Sequence, residues 1–354
     1  MRVGLQYIVP MAEGADSVRE RYEEAFNDLK WADSRGFHAF WITEHHFSNY
    51  SVTSSPLLIL SKAAQVAPTL RLGTSILVLP IWDPVRLVAD VSTLDVLTSG
   101  RVELGIGRGY QPHEIRGFGQ DPDKLRERFE EAVDLILQLF NQPDRTFKGK
   151  HYHVDVPVTV LPRPYQKPHP PIWMASSSPE SVRYAAKMGF NFMTPTAWTK
   201  TELGVQRDFI EQCILEFGTH WKGRQYEANR FIYCGDDEEG VTKALDACSW
   251  QLSLAGDLRK GSVPNRGINP PPTDQVFTNE VMRQRLIYGT PDQIVQQLEG
   301  LADSGITYIL AQFRFGHLPA NLAVTSMHRF AAEVLPRLGA IKSRPLMTQN
   351  VETV

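Results

Sequence analysis

Apolar positions along the chain fall into short continuous runs, separated by longer stretches in which they recur at helical spacing. The runs lie at 3–9, 38–43, 72–79, 102–106, 172–175, 191–194, 231–234 and 307–313. Most are unbroken rather than alternating, the pattern of strands covered on both faces of a parallel sheet. Between them, residues 17–35 open with Ser17 and Glu20, a capping-box spacing. Leu125, Phe129, Ala132, Val133, Ile136 and Phe140 trace one apolar helical stripe. Asp83-Pro84, Ser178-Pro179 and Thr290-Pro291 each set a capping residue before a proline suited to the first helical position, and Gln293 completes a further capping box with Thr290. Eight strands alternating with helices predict an α/β chain folded as a closed (β/α)8 TIM barrel. An open doubly wound sheet is the alternative, but no G-x-G-x-x-G follows the first strand.

Two stretches interrupt the alternation. Residues 141–171, rich in Pro, Lys and His, read as an insertion after the fourth helix. Residues 255–280 carry Gly256, Gly261, Gly267 and Pro270-Pro271-Pro272, and read as a long mobile loop before the eighth strand, a candidate active-site lid. The expected organisation is one domain over 1–340 and a frayed tail over 341–354.

Composition narrows the field. The chain has 354 residues, 42% hydrophobic and 22% charged, enough for a sizeable core and unlike a disordered chain. A net charge of −3 without a basic cluster argues against nucleic acid as a partner. No apolar run reaches the ~18–20 residues of a membrane helix, and no signal-peptide layout opens the chain. The three cysteines match neither a zinc spacing nor a disulfide framework, which points to a reduced, cytoplasmic protein without a metal.

In a barrel of this kind, chemistry collects where strands end. The second strand runs into Glu44-His45-His46-Phe47, a polar cluster suited to acid–base work. Adjacent histidines on an extended chain face opposite ways, so a shared metal is disfavoured; from the residues alone, a structural and a chemical histidine are equally open. The third strand carries Thr74, Ser75 and Ile76, small residues that let a planar ligand approach the backbone, although plain core packing explains them too. The fourth runs into Gly107-Arg108-Gly109-Tyr110, where glycines flank a guanidinium that can grip an anion, or form an ordinary turn. The fifth runs into Ser176-Ser177-Ser178, hydroxyls at the start of a helix whose free N–H groups attract anions. Together with Arg108 these serines suggest a phosphate site. Arg314 and Gly316 leave a second, lesser possibility after the last strand. Trp41, Phe47, Trp82, Tyr110, Trp198 and Trp250 suggest an apolar or aromatic pocket, with Trp82 and Trp198 placed best, although aromatics are commonly core.

Over roughly residues 1–337 the ordered set resembles the bacterial luciferase-like flavin-dependent monooxygenases. It comprises Glu44 to Phe47, Gly73 to Pro80 with Asp83-Pro84-Val85-Arg86, Ser99-Gly100-Arg101, Gly107 to Tyr110, Phe118-Gly119, the Ser176 to Pro179 turn and Gly289-Thr290-Pro291. The resemblance implies a barrel that binds reduced FMN (FMNH2) supplied by a separate flavin reductase, adds O2 at the flavin C4a carbon, and uses the resulting C4a-peroxyflavin to oxygenate a small organic substrate. It implies His45, beside Glu44, as the acid–base residue. It places the flavin phosphate on Arg108 and the serine turn, and a non-prolyl cis peptide in the stretch from Thr74 to Ile76. A homodimer is a further implication. Two positions depart from the luciferase α subunit: Gly107 stands where that subunit has a reactive cysteine, and Ser176 where it has a glutamate. Light emission is therefore not implied. An F420-dependent oxidoreductase on the same barrel and a non-catalytic flavin-binding partner subunit are the alternatives within the resemblance; a metal hydrolase is a weaker one outside it.

Overall fold

A computed structural model of the chain describes residues 1–11, 17–219, 223–272 and 277–344. Strand β1 (Arg2–Tyr7) leads to helix α1 (Val18–Ala32), β2 (Ala39–Ile42) to α2 (Pro56–Val66), and β3 (Arg71–Thr74) with β4 (Leu77–Val78) to α3 (Pro84–Leu97). β5 (Val102–Gly107) is followed by α4 (Pro112–Gly117), α5 (Leu125–Asn141) and the hairpin of β6 (Arg145–Lys148) and β7 (His153–Val158). Next come β8 (Ile172–Ala175), α6 (Pro179–Met188), β9 (Asn191–Met193), α7 (Lys200–Phe217), β10 (Glu227–Cys234) and α8 (Glu238–Lys260). The chain continues through α9 (Asn279–Arg283), β11 (Ile287–Gly289), α10 (Pro291–Asp303), β12 (Tyr308–Gln312) and α11 (Ala320–Arg329).

The main sheet is parallel and curled, in the order β11-β10-β12-β1-β2-β3-β5-β8-β9, with β4 paired to β5. First and last strands of the chain lie side by side: Gly4 of β1 stands opposite Ala39 of β2 on one flank and Leu310 of β12 on the other. The far end of the curl comes back toward this seam, where Phe192 of β9 makes a single parallel bridge to Tyr226, just ahead of β10.

Alternation along each strand sorts the core into two layers. Val3, Leu5, Phe40, Ile42 and Leu72 face outward and pack beneath the helices. Ala39, Trp41, Trp173, Met193, Tyr308 and Leu310 face inward and pack on one another. The Trp41 and Trp173 rings meet edge to face at 5.2 Å, and Trp41 donates to the Tyr308 hydroxyl at 3.1 Å. Gly73 makes room for this plug, since a Cβ there would lie 2.1 Å from the Trp41 ring.

Helix starts follow the capping pattern. Thr290 and Gln293 form both halves of their box at α10, Ser178 forms one with Ser181 at α6, and Thr199 and Glu202 form a further one at α7. The stripe on α5 is buried from Phe129 to Phe140.

Three expectations need correction. The run 72–79 is not one strand: it breaks between β3 and β4, and the Ser75–Ile76 peptide is cis. The cause of the lost pairing is local. The Thr74 hydroxyl donates to the Gly105 carbonyl at 2.8 Å and accepts its N–H at 2.9 Å, taking the place of a main-chain ladder bond. A Cβ on Gly105 would lie 1.9 Å from the Thr74 carbonyl oxygen, so only glycine fits this crossing. Second, the stretch 255–280 is not irregular throughout. Its first six residues complete α8, and α9 begins at Asn279. In between, the main chain is tied to Asn49, whose N–H donates to Gly267 and whose side chain accepts from Asn269; residues 273–276 lie outside the described residues. Third, β10 begins four residues before the apolar run at 231–234, because Glu227 and Asn229 are polar yet extended. Of the expected tail, 345–354 lie outside the described residues.

Candidate active site

The carboxyl ends of the strands open on a cavity of about 430 Å³. Glu44, His45, Ser75, Ile76, Gly107, Arg108, Gly109, Tyr110, Ser176 and Ser177 all line it. Thr74 and Ser178 do not. The Thr74 hydroxyl is committed to Gly105, and the Ser178 side chain accepts the Ser181 N–H as the cap of α6.

The two acidic–basic pairs at the end of β2 differ in kind. The Glu44 carboxylate is fully engaged: it accepts from the Val78 N–H at 2.6 Å and the Trp82 indole at 2.9 Å, and lies 3.0 Å from His46 Nε2. It ties the end of β2 to β4 and holds Trp82, which does not line the cavity. His45 instead pairs with Glu114, which has no strand-end position in the sequence and is brought in by α4. The Glu114 carboxylate accepts the His46 N–H at 2.7 Å and stands 3.0 Å from His45 Nδ1. Burial pushes the Glu114 carboxyl up, but the His45 ring and these hydrogen bonds outweigh it and hold it below the usual carboxylate range. An ionised carboxylate only accepts, so Nδ1 carries the ring proton. Gln111 Nε2 stands 3.1 Å from the same nitrogen and donates to the Tyr110 hydroxyl at 3.1 Å. His45 Nε2 has no hydrogen-bond partner among the described residues. Tyr50 packs edge-on to the imidazole at 4.9 Å.

Arg108, which also lines the cavity, is half-buried and makes no hydrogen bond or ion pair among the described residues. Burial lowers the pKa of its guanidinium, and neighbouring Arg126 lowers it further. Ser177 is exposed at the mouth, with its hydroxyl likewise uncommitted. The Ser176 hydroxyl is already donated to the Met174 carbonyl at 3.1 Å. Gly107 lets Ile76 approach, since a Cβ there would lie 2.8 Å from the Ile76 side chain. Arg314 belongs elsewhere, ion-paired to Asp28 at 2.5 Å.

A polar wall missed by the sequence reading lies inside the curl. Gln6 donates to the Ser75 hydroxyl at 2.5 Å, and Gln312 donates to Asn229 at 2.7 Å. Glu227 is wholly buried and accepts the Thr194 N–H at 2.8 Å. The remaining side-chain oxygens of Gln6, Glu227 and Gln312 have no partner. Burial pushes the Glu227 carboxyl up to about 8. The available signal was a polar residue at an inward position of an otherwise apolar strand, as at Gln6 and Gln312. Of the aromatic candidates, Tyr110 and Trp198 line the cavity, whereas Trp41 is core and Trp250 packs against His317.

Cys213, Cys234 and Cys248 are free and buried. Among the described residues no cluster of three or more His, Cys, Asp and Glu is gathered as a metal site, and no helix is long and apolar enough to cross a membrane.

Comparison with known proteins agrees with this architecture. The chain is 26% identical to the oxygenase component of the flavin-dependent trigonelline monooxygenase of Acinetobacter baylyi, over 97% of each chain. It is also 26% identical to an F420-dependent glucose-6-phosphate dehydrogenase of Kineococcus radiotolerans, over 87% of this chain and 90% of that one. Among solved structures, the oxygenating constituent of 3,6-diketocamphane monooxygenase from Pseudomonas putida, a type II Baeyer-Villiger monooxygenase in complex with FMN, superposes with a TM-score of 0.77. It is 18% identical, with 95% of this chain and 98% of that one covered. The sequence profile of the luciferase-like monooxygenases matches residues 3–308, and the chain belongs to that family.

Proposed function

We propose that this protein is the oxygenase component of a two-component monooxygenase, taking FMNH2 from a separate flavin reductase and using O2 to oxygenate a small organic substrate. In this reading the curled sheet closes as a (β/α)8 barrel within a single domain over 1–340, and the segment after α8 acts as a lid. The observation that carries the reading is the presence of two uncommitted groups in one cavity, the Arg108 guanidinium and the Nε2 of His45.

The residues present fit a flavin mononucleotide. Arg108 and Ser177 would hold the phosphate at the start of α6, where free N–H groups favour an anion. Gly107, Gly109 and the turn from Ser75 to Ile76 leave the backbone open to a flat ring. When bound, reduced FMN would supply the electrons that activate O2. The protein's own part is to position, to keep water out and to move a proton. Glu114 fixes the His45 tautomer, so that Nε2 faces the cavity ready to accept a proton and return it. Glu44 acts as a positioning group, holding the turn that presents His45. Tyr50 and Tyr110 crowd the imidazole and limit water around it.

Anaerobic titration of the purified protein with FMNH2, followed by oxygen, tests the proposal. Saturable binding of FMNH2 that Arg108→Ala weakens, and oxygen uptake that depends on FMNH2, are expected. No affinity for FMNH2, together with reduction of F420 by an alcohol, would favour the F420-dependent reading that the Kineococcus relative brings in.

A further inference from the structure

Besides Arg108, the guanidiniums of Arg259 and Arg285 line the cavity. Arg285 lies between α9 and β11. Its guanidinium is tethered, donating to the Ala197 carbonyl at 3.0 Å and lying 3.4 Å from Glu202. Its Nε is buried and has no partner. Glu202 is shared, because the same carboxylate accepts the Thr199 N–H at 2.6 Å as part of the cap of α7. Nearby on β10, Arg230 is only 3% exposed, yet it makes no hydrogen bond or ion pair among the described residues, and its Nη1 is buried without a partner. Burial lowers the pKa of the Arg230 guanidinium, and neighbouring Glu227 opposes that shift. Arg285 therefore lines the cavity with one shared carboxylate as its ion-pair partner and a buried Nε that an anion would satisfy.

The surroundings define what kind of anion fits. Phe277 packs against Arg285, whose Cζ lies 5.5 Å from the ring centroid. Phe231 and Leu252 pack in one cluster with Phe277 and line the cavity, as does Trp198. A guanidinium fixed at the edge of flat apolar walls suits a planar ligand bearing a carboxylate, which can take two N–H donors at once.

We propose that Arg285 forms a substrate-anion subsite, and that the protein's substrate is a small aromatic carboxylic acid held there by its carboxylate. This names the substrate class within the reading above and rests on it for the word substrate; the binding event itself does not.

The probe is benzoate against benzamide, an uncharged analogue of similar size, titrated into the purified protein by isothermal calorimetry without flavin. Benzoate is expected to bind at least tenfold more tightly than benzamide. Arg285→Gln should abolish that preference and Arg285→Lys should keep part of it, with FMNH2 affinity unchanged in both. Equal binding of the two probes to the unaltered protein, binding of neither, or a full preference for benzoate in Arg285→Gln would each overturn the subsite. The comparison on the unaltered protein stands even if a variant fails to fold. Failure of FMNH2-dependent oxygen uptake, with the preference for benzoate intact, would instead strike the proposed reaction and leave the subsite standing.

Discussion

The interior of the curl holds two adjoining regions built to opposite specifications, one mainly on β2, β8 and β12 and the other on β1, β10 and β12. Low in the curl, Trp41, Trp173 and Tyr308 form a dry plug whose polar atoms are paired: Trp41 with Tyr308, and Trp173 with Glu103 at 2.7 Å. In register with it, β1 presents Gln6 and β10 presents Glu227, joined by Asn229 of β10 and Gln312 of β12, and three of these side chains keep an oxygen without a partner. The plug gives up space for packing. The chamber gives up hydrogen bonds to keep space. Unsatisfied buried polar atoms cost roughly 1–3 kcal/mol each, so their gathering around a cavity marks where the fold serves a ligand rather than itself.

Several substitutions would break or sharpen this contrast. His45→Ala should open the widest gap, lowering coupled product formation by roughly 10²- to 10⁴-fold, the usual worth of a positioned acid–base group. FMNH2 binding and melting temperature should stay close to those of the parent, and unchanged coupling would remove His45 from the chemistry. In the plug, Trp41→Ala should do the reverse and cost about 3–5 kcal/mol of stability in denaturant unfolding. A small loss there would mean that the two regions are less distinct than their hydrogen bonding suggests. Next in size, Arg108→Ala removes charge-assisted bonds worth about 1.5–3 kcal/mol, a weakening of roughly 10- to 100-fold in FMNH2 affinity. The same substitution leaves the chamber wall untouched, so benzoate binding should not change.

Glu227 supplies a subtler test. Its folded carboxyl titrates at about 8 rather than at the ordinary 4.5, so between those values the folded protein holds a proton that the unfolded chain has released. Stability should therefore fall as pH rises from 4.5 toward 8 and level off beyond, once both states have lost the proton. Glu227→Gln should flatten that part of the melting-temperature profile. An identical slope in the variant would place the titrating group elsewhere. The smallest effect belongs to Gln6→Leu. It should shift stability by less than about 1 kcal/mol, because the lost bond to Ser75 is offset by removal of an unpaired oxygen, while ligand affinity in the chamber falls.

Reading the chain from its sequence succeeded where periodicity and local chemistry coincide. Strands buried on both faces announce themselves as apolar runs, and Ser178, Thr290 and Gln293 announce helix starts, because those signals act within a few residues. It faltered at β3, where a hydroxyl from Thr74 displaces a ladder bond to a strand about thirty residues away. It also shortened β10, because the polar residues that line a cavity interrupt the apolar run used to find the strand. The site divides in the same way. His45, Arg108 and Ser177 were legible as residues that follow strands. Glu114, Glu227 and Arg285 were not, since no local pattern distinguishes them from surface charges.

What the sequence determined by itself is therefore the alternation of strands and helices, the caps that start the helices, and the strand-end positions from which His45 and Arg108 reach one opening. Those follow from short-range rules of periodicity and backbone satisfaction. Which carboxylate meets His45, which oxygens of the interior go unpaired, and which guanidiniums lack a counter-charge were decided by the tertiary structure. Each depends on distances between segments far apart in the chain, and burial is a property of the whole fold rather than of any stretch of it.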